Sequence, residues 1–451
     1  MSKEDNAMPN KKIPTVPAWE FYRNSMRILV NPLIFHHKKF EKLGDTFRLK
    51  IGPGSSVIFS RNAAFAQYAL QKNHKNFSKT TIQTRDMAKY LGKGLLTSEG
   101  EHWKKQRKLI QPAFHKKQLV LLLNSIKAAI STELKKIETG KPVDIFPVFN
   151  DLAFQTVVKS LFSSAVGQQE ISRLQYITET AQKMLVRELR QPYLAWWFNL
   201  SGKIREHTDL TDEARDILRE LIDARRASGE RQNDLLDMLL DARYDDGSSM
   251  ENEQLIDEIL ILFTAGHETT SNTLTFTAQL LARHPQAQEK ILEEIKRAKM
   301  ETESLADYIQ ACSYTKMVIE ESMRLYPPAY FIDRVNKEKD VFDGLEIPAG
   351  SSLLFSMYEI HRHKDFWEDP EEFKPERFID PKKYSFCYYP FGAGPRMCIG
   401  NNFAMYEMIL AVAELVERYE ISSAPTPIKI KPLITLKPEA AILEFTKRKE
   451  Q

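Results

Sequence analysis

The stretch from residue 251 to residue 282 is the longest uninterrupted helical pattern in the chain, and it limits the folds that are possible. His284-Pro285 ends it, because a proline disfavours helical geometry in the residue before it. At about 1.5 Å per residue the helix would be roughly 50 Å long, enough to cross the whole molecule. Residues 259–263 are apolar on every side, which indicates burial. The pattern predicts a mainly helical protein built around one long central helix.

Short strands are predicted at both ends of the chain. Residues 46–51 and 56–60 are rich in β-formers and flank a glycine-proline-glycine turn, which predicts a hairpin. Residues 427–434 and 441–445 predict terminal strands. Internal repeats and Gly/Ser linkers are absent from the sequence. We therefore expect residues 1–451 to form a single domain, mainly α with small β-sheets.

Composition excludes several classes of protein. Hydrophobic residues make up 42% and charged residues 28%, as in a folded globular chain rather than a disordered one. The net charge of +3 argues against a nucleic-acid binder that works through a global basic field. The first apolar stretch, residues 26–35, is interrupted by Asn31 and Pro32, whereas a membrane span needs roughly 20 apolar residues. Since a signal-peptide pattern is also missing, we expect a cytoplasmic protein without a transmembrane anchor.

The three cysteines are too few for a disulfide framework, which suits a reducing compartment. For Cys312 and Cys387 we expect small buried apolar side chains. Cys398 differs, because it lies in the glycine-rich segment 391–400, directly before the helix-favouring stretch 403–415. Glycines let a loop backbone approach its neighbours closely, and a helix N-terminus favours an anion. The segment thus predicts a thiol presented as a thiolate.

The centre of the long helix contains residues that disfavour a regular helix. A glycine, an ionisable pair and two β-branched threonines replace strong helix-formers there, and such a conflict often marks function. Thr269 follows Ala265 by four residues, so its hydroxyl is predicted to bond back to that carbonyl or to leave the ladder open for a bound group. His267-Glu268 begins the His-Glu-x-x-His pattern of zinc proteases, but the fifth position is Ser271, so the second ligand is missing.

The frame Phe-x-x-Gly-x-Arg-x-Cys-x-Gly around Cys398 resembles the haem-ligand signature of the cytochrome P-450 family. The resemblance implies the cytochrome P-450 fold with a single haem domain. It implies that Cys398 is the proximal iron ligand, that Phe391 packs beside it and that Arg396 reaches a haem propionate. Gly392 and Gly400 are implied to border the cofactor, which would be haem b, iron protoporphyrin IX.

Other motifs match the same family in the expected order. The resemblance implies that Glu268 and Thr269 assist proton delivery to iron-bound dioxygen, with Ala265 beside the haem. Trp103 and Arg107, spaced i and i+4 on one predicted helix face, resemble the family's propionate contacts.

A set of charged residues is expected to be structural. Glu321 and Arg324 would alone be a weak ion pair. With Arg377 they resemble the family's Glu-x-x-Arg triad and would lock the region beneath the haem. His361 and Arg334 are further candidates for the haem edge.

The resemblance implies a monooxygenase acting on an apolar substrate such as a fatty acid, terpenoid or carotenoid, with dioxygen as oxidant. Residues 265–271, together with residues 220–240, look most like those of the soluble bacterial fatty-acid hydroxylases and the related long-chain hydroxylases of eukaryotes. The residues expected to face the distal side of the haem are mostly apolar: Ala265, Thr269, Ala329 and Phe331, with Tyr90 or Leu91 as further candidates.

Electrons are expected from a separate ferredoxin or flavodoxin with its reductase, because no flavin or iron–sulfur module is present in the sequence. A group of lysines around the predicted Trp103 helix is a candidate docking surface for such an acidic donor: Lys104, Lys105, Lys108, Lys116 and Lys117.

Two alternative functions stay open, a peroxide-using or isomerising haem-thiolate enzyme and a non-catalytic haem-binding protein. The Glu268-Thr269 pair disfavours the first, since proton delivery is needed chiefly when dioxygen is the oxidant. The second predicts that Thr269→Ala is tolerated in every assay. The aromatic residues Tyr193, Trp196, Trp197 and Phe198 either line an entrance, contact a membrane surface or pack in the core.

Overall fold

A helix from Asn252 to Leu281 confirms the long helical pattern. It begins one residue later and ends one residue earlier than predicted. The computed structural model describes residues 11–163, 166–191, 194–380 and 382–449. Contacts divide the chain into two compact units that alternate along the sequence. The first takes residues up to 80, 329–372 and 380–398, and the second takes 81–328, 373–379 and the remainder.

The first unit contains short helices and most of the strands. Its helices are α1 (Ala18–Val30), α2 (Pro32–Leu43), α3 (Ala63–Gln67) and α16 (Met357–Ile360). Its strands are β1 (Thr15–Val16), β2 (Thr46–Gly52), β3 (Ser55–Ser60), β4 (Phe77–Ser78), β6 (Phe331–Asn336), β7 (Asp340–Phe342), β8 (Leu345–Ile347) and β9 (Ser352–Ser356). A π-helical turn, Tyr68–Lys72, and a 3-10 turn, Gly394–Arg396, complete it.

One sheet with the strand order β1-β2-β3-β9-β6-β4 organises this unit. β2 and β3 form the predicted hairpin, with Phe47 opposite Phe59. β9 runs parallel to β3 and antiparallel to β6, which leads the chain back across the sheet. The inner face of β2 and β3 carries aromatic and branched side chains, so it is buried on a core that includes Phe40 and Leu49.

The second unit is mainly helical. Its helices are α4 (Ala88–Leu91), α5 (Gly100–Ile110), α6 (Lys116–Leu134), α7 (Phe146–Phe162), α8 (Gln168–Arg190), α9 (Ala195–Leu200), α10 (Lys203–Ser228), α11 (Leu235–Asp241), α12 (Asn252–Leu281), α13 (Pro285–Glu301), α14 (Leu305–Ala311), α15 (Ser313–Leu325) and α17 (Asn401–Arg418). Shorter turns are the π-helical Ile82–Met87 and the 3-10 turns Gln111–Phe114 and Pro375–Ile379. Its strands are β5 (Pro142–Asp144), β10 (Tyr419–Ser422), β11 (Ile430–Pro432), β12 (Leu436–Pro438) and β13 (Ile442–Lys447).

The central helix α12 ends where the sequence predicts. His284 has φ −130° and ψ 72°, outside the helical region, and Pro285 is the first residue of α13. The predicted strand at 427–434 is shorter than expected and forms β11, which pairs with β12 in a hairpin. The strand predicted at 441–445 is confirmed as β13 within two residues and lies between β10 and β5. Among the described residues, none of the helices combines the length and apolarity needed to span a membrane.

Candidate active site

The loop that carries Cys398 belongs to the first unit and is closed by its own backbone. The Cys398 N–H donates to the Phe391 carbonyl at 2.9 Å, and the Met397 N–H donates to the Gly394 carbonyl at 3.0 Å. These bonds bring the backbones of Phe391 and Cys398 together, while the packing of the Phe391 ring beside the sulfur stays a prediction. The thiol of Cys398 is exposed, so the loop presents it rather than burying it.

Two glycines give this loop its path. Gly392 and Gly394 both have φ +72°, the left-handed region that favours glycine. A Cβ on Gly394 would also overlap the backbone carbonyl of Leu70, so only glycine lets the loop approach the π-helical turn so closely. Arg396 fixes the loop on its other side, because its Nη1 donates to the Phe77 carbonyl of β4 at 3.1 Å.

The other two cysteines are buried, as predicted. Burial raises the pKa of both thiols, Cys312 and Cys387, to about 12. Neither would be a thiolate at neutral pH, since an ionised sulfur is costly in an apolar setting. Exposure therefore distinguishes Cys398 from both of them.

His361 and Arg334, candidates for the haem edge, are both buried in the first unit. The Tyr389 N–H donates to Nε2 of His361 at 3.0 Å, so this histidine supports the chain that leads into the Cys398 loop. Arg334 lies in β6, and its Nη1 donates to the Asp333 carbonyl at 2.7 Å. A haem-edge role for either residue stays a prediction.

In the second unit, the middle of α12 is buried except along one stripe. Leu262, Gly266 and Thr269 are partly exposed and Ala265 is exposed, whereas the other residues from 259 to 281 are buried. These four positions follow helical spacing of three and four residues, so they share one face. The stripe consists of small or apolar side chains with one hydroxyl.

The hydroxyl of Thr269 donates to the Ala265 carbonyl at 2.7 Å. The sequence left two possibilities, this back-bond or an open ladder, and the structure has the back-bond. Thr269 thus holds its hydroxyl on the exposed stripe, one turn from Ala265.

The carboxylate of Glu268 is buried and bound by the terminal hairpin. Thr435, in the β11–β12 turn, donates its hydroxyl to Oε1 of Glu268 at 2.7 Å, and Nζ of Lys437 lies 2.7 Å from the same oxygen. Asn272, one turn along α12, donates to the Thr435 hydroxyl at 3.0 Å. Neither Thr435 nor Lys437 was predicted as a site residue, because no sequence spacing connects a strand lysine with a helix acid so far away.

His267 is buried beside Glu268 and makes a structural hydrogen bond. Its Nδ1 lies 2.7 Å from the Phe263 carbonyl, and its ring stands edge-on to Phe154. Burial lowers the pKa of His267, so the ring is neutral near neutral pH and Nδ1 donates.

The predicted triad of structural charges is present in the second unit. Arg324 donates from Nε and Nη2 to the two carboxylate oxygens of Glu321 at 2.7 and 2.8 Å. Nε of Arg377 lies 3.3 Å from Oε1 of Glu321, and the Lys374 N–H donates to the same oxygen at 2.9 Å. Both Glu321 and Arg324 are fully buried. Their contacts with Arg377 and Lys374 tie α15 to the 3-10 turn Pro375–Ile379.

Trp103 and Arg107 lie on α5, as predicted. Trp103 is buried, and Arg107 is partly exposed with Nε donating to Gln111 at 3.2 Å. The lysines around them are exposed but do not form a uniformly basic surface. Lys104 pairs with Glu101 at 2.6 Å and Lys108 pairs with Asp245 at 2.6 Å.

A surface groove of about 1260 Å³ opens beside α5 and contains neither Thr269 nor Cys398. Both signs of charge line it, including Lys105, Arg243 and Asp246. Its size does not make it the reactive site, since binding pockets for apolar ligands are lined chiefly by apolar side chains.

An apolar cluster packs beside the exposed stripe of α12. Its buried members are Met87, Tyr90, Leu91, Ala181, Met184, Leu185, Phe198 and Ile261. Tyr90 donates its hydroxyl to Glu188 at 2.7 Å, and Lys89 pairs with the same carboxylate at 2.6 Å. Phe198 is therefore core packing, while Trp196 and Trp197 are exposed and Tyr193 lies outside the described residues.

One fully buried acid of the second unit was not predicted from the sequence. Glu407 lies in α17 and is fully buried; burial raises its pKa well above the usual value, while the Thr156 hydroxyl opposes the shift. The sequence signal is that Glu407 is the one charged residue between positions 403 and 413, a largely apolar helical stretch.

The predicted site residues divide between the two units. Phe391, Gly392, Arg396 and Cys398 belong to the first unit. Trp103, Arg107, Ala265, Glu268, Thr269 and Gly400 belong to the second. Gly400 has φ −89°, an ordinary backbone angle, and stands immediately before α17.

Comparison with known proteins decides the family. A family model described as cytochrome P-450 matches residues 14–445. The chain belongs to the cytochrome P-450 family. It is accordingly a haem-dependent oxidoreductase of the monooxygenase type, and the predicted fold is confirmed. The chain is similar to the crystal structure of the cytochrome P450DA heme domain, with a TM-score of 0.87 at 22% identity over 98% of both chains.

Two relatives come from species of Streptomyces. A pentalenene oxygenase of Streptomyces avermitilis is 27% identical, covering 90% of this chain and 89% of its own. A cyclooctat-9-en-7-ol 5-monooxygenase of Streptomyces melanosporofaciens is 28% identical, covering 85% of this chain and 83% of its own.

The residues present fit the haem that the P-450 family requires. In the first unit an exposed thiol stands at the end of a glycine loop, the donor that a haem iron takes in this family. In the second unit, α12 leaves the small side chain of Ala265 exposed, one turn from the Thr269 hydroxyl, so this face offers room for a flat ring system.

Proposed function

We propose that this P-450 binds haem b through Cys398 and inserts one atom of dioxygen into an apolar substrate such as a fatty acid, terpenoid or carotenoid. Two electrons would come from a separate ferredoxin or flavodoxin with its reductase. We also propose that residues 1–451 act as a single haem domain in the cytoplasm, in line with the small number of cysteines.

The observation that carries the proposal is the exposed stripe of α12. From residue 259 to residue 281 the helix is buried except at Leu262, Ala265, Gly266 and Thr269, so an apolar ligand on this face would meet one hydroxyl and otherwise hydrocarbon. The relatives support this substrate class, because pentalenene and cyclooctat-9-en-7-ol are, by the endings of their names, an unsaturated hydrocarbon and an unsaturated alcohol.

Four residues would hold the cofactor. Cys398 would ligate the iron, and Trp103, Arg107 and Arg396 would donate to the propionates, since an indole N–H and guanidinium groups are donors that suit carboxylates. When bound, thiolate-ligated haem supplies the activation of dioxygen, which protein side chains cannot perform.

Glu268 and Thr269 would supply protons. Thr269 has its hydroxyl on the exposed stripe, and rotation about its Cα–Cβ bond would exchange the Ala265 carbonyl for a bound acceptor. Glu268 would relay protons to Thr269: once its carboxylate leaves Thr435 and Lys437, which bind it in the resting arrangement, it would take up a proton from solvent and pass that proton on.

A turnover experiment tests the reaction. Ferric protein is titrated with fatty acids, terpenes and carotenoids, and a spin-state shift of the haem identifies ligands. Turnover with a ferredoxin, its reductase and heavy-isotope dioxygen should then give a product that carries one heavy oxygen atom. A product that contains only oxygen from water contradicts the proposal.

Thr269→Val tests the proton step, with Thr273→Val as the matched control. Thr273 lies one turn further along α12, is buried and donates to the Thr269 carbonyl at 2.9 Å. We expect Thr269→Val to lower the product formed per electron by about a hundredfold, with the electrons diverted to peroxide. Thr273→Val should form as much product per electron as the wild type.

The docking of the electron donor is best tested at Lys105, Lys116 and Lys117. They are exposed, and no ion pair joins them to a described residue, whereas Lys104 and Lys108 are already paired. Replacing the three by glutamate should raise the KM for ferredoxin and remove its dependence on salt. An unchanged KM at low salt excludes this surface.

A peroxide-dependent enzyme is the second candidate, favoured by the binding of Glu268 to Lys437 and Thr435 rather than to Thr269. It predicts product formation with hydrogen peroxide alone at a rate that Thr269→Val leaves unchanged.

A further inference from the structure

Helix α1 in the first unit has one packed face and one open face. Phe21 and Ile28 pack against the aromatic core of this unit, which includes Phe35 and Phe47. None of the residues of α1 is fully buried. The helix is therefore attached through its inner side and leaves the other side to solvent.

The open side carries large apolar residues at helical spacing. Trp19 and Tyr22 are 59% and 57% exposed, and Met26 and Val30 are both 73% exposed. Steps of three, four and four residues place them along one face. We call this set the outer face of α1. A contiguous exposed apolar stripe of this kind marks an interaction surface rather than chance.

The same face is basic. Arg23 and Arg27 are exposed on it, and the Arg23 guanidinium lies 5.1 Å from the centre of the Trp19 ring. Glu20 is the one acid in the sequence of α1, and Lys39 of α2 pairs with it. The outer face of α1 is therefore apolar and carries two arginines that form no ion pair with the described residues.

We propose that the outer face of α1 binds the surface of an anionic phospholipid bilayer. Apolar and aromatic side chains on one helix face, with arginines beside them, are the features that place a helix in the interfacial plane of a membrane. Arginine aliphatic stems lie along apolar surface while the guanidinium groups reach phosphate, and Trp and Tyr are suited to the headgroup depth. The inference does not depend on the reaction that the enzyme performs.

Two other occupants match this face less well. In a symmetric dimer through α1, Arg23 and Arg27 would meet the same residues of the second copy, and like charges repel. The ten residues before Lys11 contain lysine, glutamate, aspartate and asparagine but no aromatic or branched aliphatic residue, so they offer little apolar surface.

Vesicle flotation of the full-length haem protein tests the proposal. One vesicle preparation contains equal parts of phosphatidylcholine and phosphatidylglycerol, and the other contains phosphatidylcholine alone. We expect the protein to float with the anionic vesicles. It should stay at the bottom of the gradient when only neutral vesicles are present, and high salt should reduce binding to the anionic ones.

Two double variants separate the contributions. Trp19→Ser with Met26→Ser should lower the partition coefficient by about tenfold or more, because the buried apolar area is lost. Arg23→Gln with Arg27→Gln should lower it roughly fivefold for each arginine. The matched control combines Met300→Ser with Arg205→Gln, two strongly exposed residues on other helices, and should bind like the wild type.

Three outcomes overturn the proposal. One is a wild type that floats with neither kind of vesicle. Another is equal flotation of the wild type and both double variants. The third is a wild-type dimer in gel filtration that becomes a monomer in Trp19→Ser with Met26→Ser, since a second copy would then cover the face. An unchanged thermal unfolding midpoint confirms that each variant is folded.

Discussion

At the scale of single residues, Glu268 is held by groups that the linear sequence does not connect with it. Thr435 accepts from Asn272 and donates to the carboxylate, and Lys437 adds a positive charge. A partly buried ion pair of this kind stabilises the fold only while both partners are present, because a charge left alone there is costly. The same contacts set the resting position of a proposed proton donor.

A double-mutant cycle measures this pairing. Lys437→Met should lower the free energy of unfolding by about 2 kcal/mol, because Glu268 remains as an unpaired acid. Lys437→Met combined with Glu268→Gln should recover most of that loss. Urea unfolding of the ferric protein gives the four values, with Lys431→Met on the exposed edge of the same hairpin as control. Strictly additive losses would show that the two side chains do not interact.

Glu407 makes the stability of the protein depend on pH. Burial keeps its folded pKa well above the usual 4.5, so the folded chain retains a proton that the unfolded chain releases. The free energy of unfolding therefore falls as pH rises above 4.5, by about 1.4 kcal/mol per pH unit until the folded pKa is reached. Glu407→Gln removes this loss, so its stability relative to the wild type should increase with pH.

Urea unfolding at about pH 5 and about pH 8 checks the prediction, and the advantage of Glu407→Gln should be larger at the higher pH. Glu420→Gln, an exposed acid on β10, is the control and should show no trend. A constant difference at both pH values would mean that Glu407 ionises as readily in the folded protein as in the unfolded chain.

At the scale of elements, the Cys398 loop depends on one close approach. Gly394 and Gly350 both have φ +72°, so alanine costs backbone strain of about 1–2 kcal/mol at either position. A Cβ on Gly394 would also overlap the Leu70 carbonyl, whereas at Gly350 it would meet open space. Gly394→Ala should therefore lose haem and its thiolate-type spectrum, while Gly350→Ala should lose stability only. Equal haem content in the two variants would contradict this role for the loop.

Local signals explain which elements the sequence predicts well. The limits of α12 follow from its apolar pattern and from Pro285, and the β2–β3 hairpin follows from its alternation and its glycine turn. The path of the Cys398 loop follows from its glycines. Such features involve residues that are neighbours in the sequence, so propensity and spacing determine them.

Elements that depend on distant packing were not predictable in the same way. The strand expected at 427–434 is shortened to Ile430–Pro432, and at its C-terminal end it gives way to a turn whose Thr435 donates to Glu268. The outer face of α1 shows the same limit, since its residues could equally have been core. Only packing through Phe21 and Ile28 decides which side of the helix is exposed.

At the scale of the whole molecule, the residues proposed to bind haem and to deliver protons are divided between the two compact units. The thiol and its loop come from the first unit, and the long helix with its hydroxyl and acid comes from the second. The family match from residue 14 to residue 445 extends over both of them. Family membership was therefore predictable from the motifs, whereas the substrate depends on side chains contributed by segments far apart in the sequence.

The carbon monoxide difference spectrum of the reduced protein tests the central claim most directly, that Cys398 holds the haem iron as a thiolate. We expect the wild type to give the strongly red-shifted band of a thiolate-ligated carbonyl complex. Cys398→Ser should lose that band, and Cys387→Ser, at a buried cysteine, should keep it. A red-shifted band that survives in folded, haem-loaded Cys398→Ser, or its absence from folded, haem-loaded wild type, would contradict the assignment.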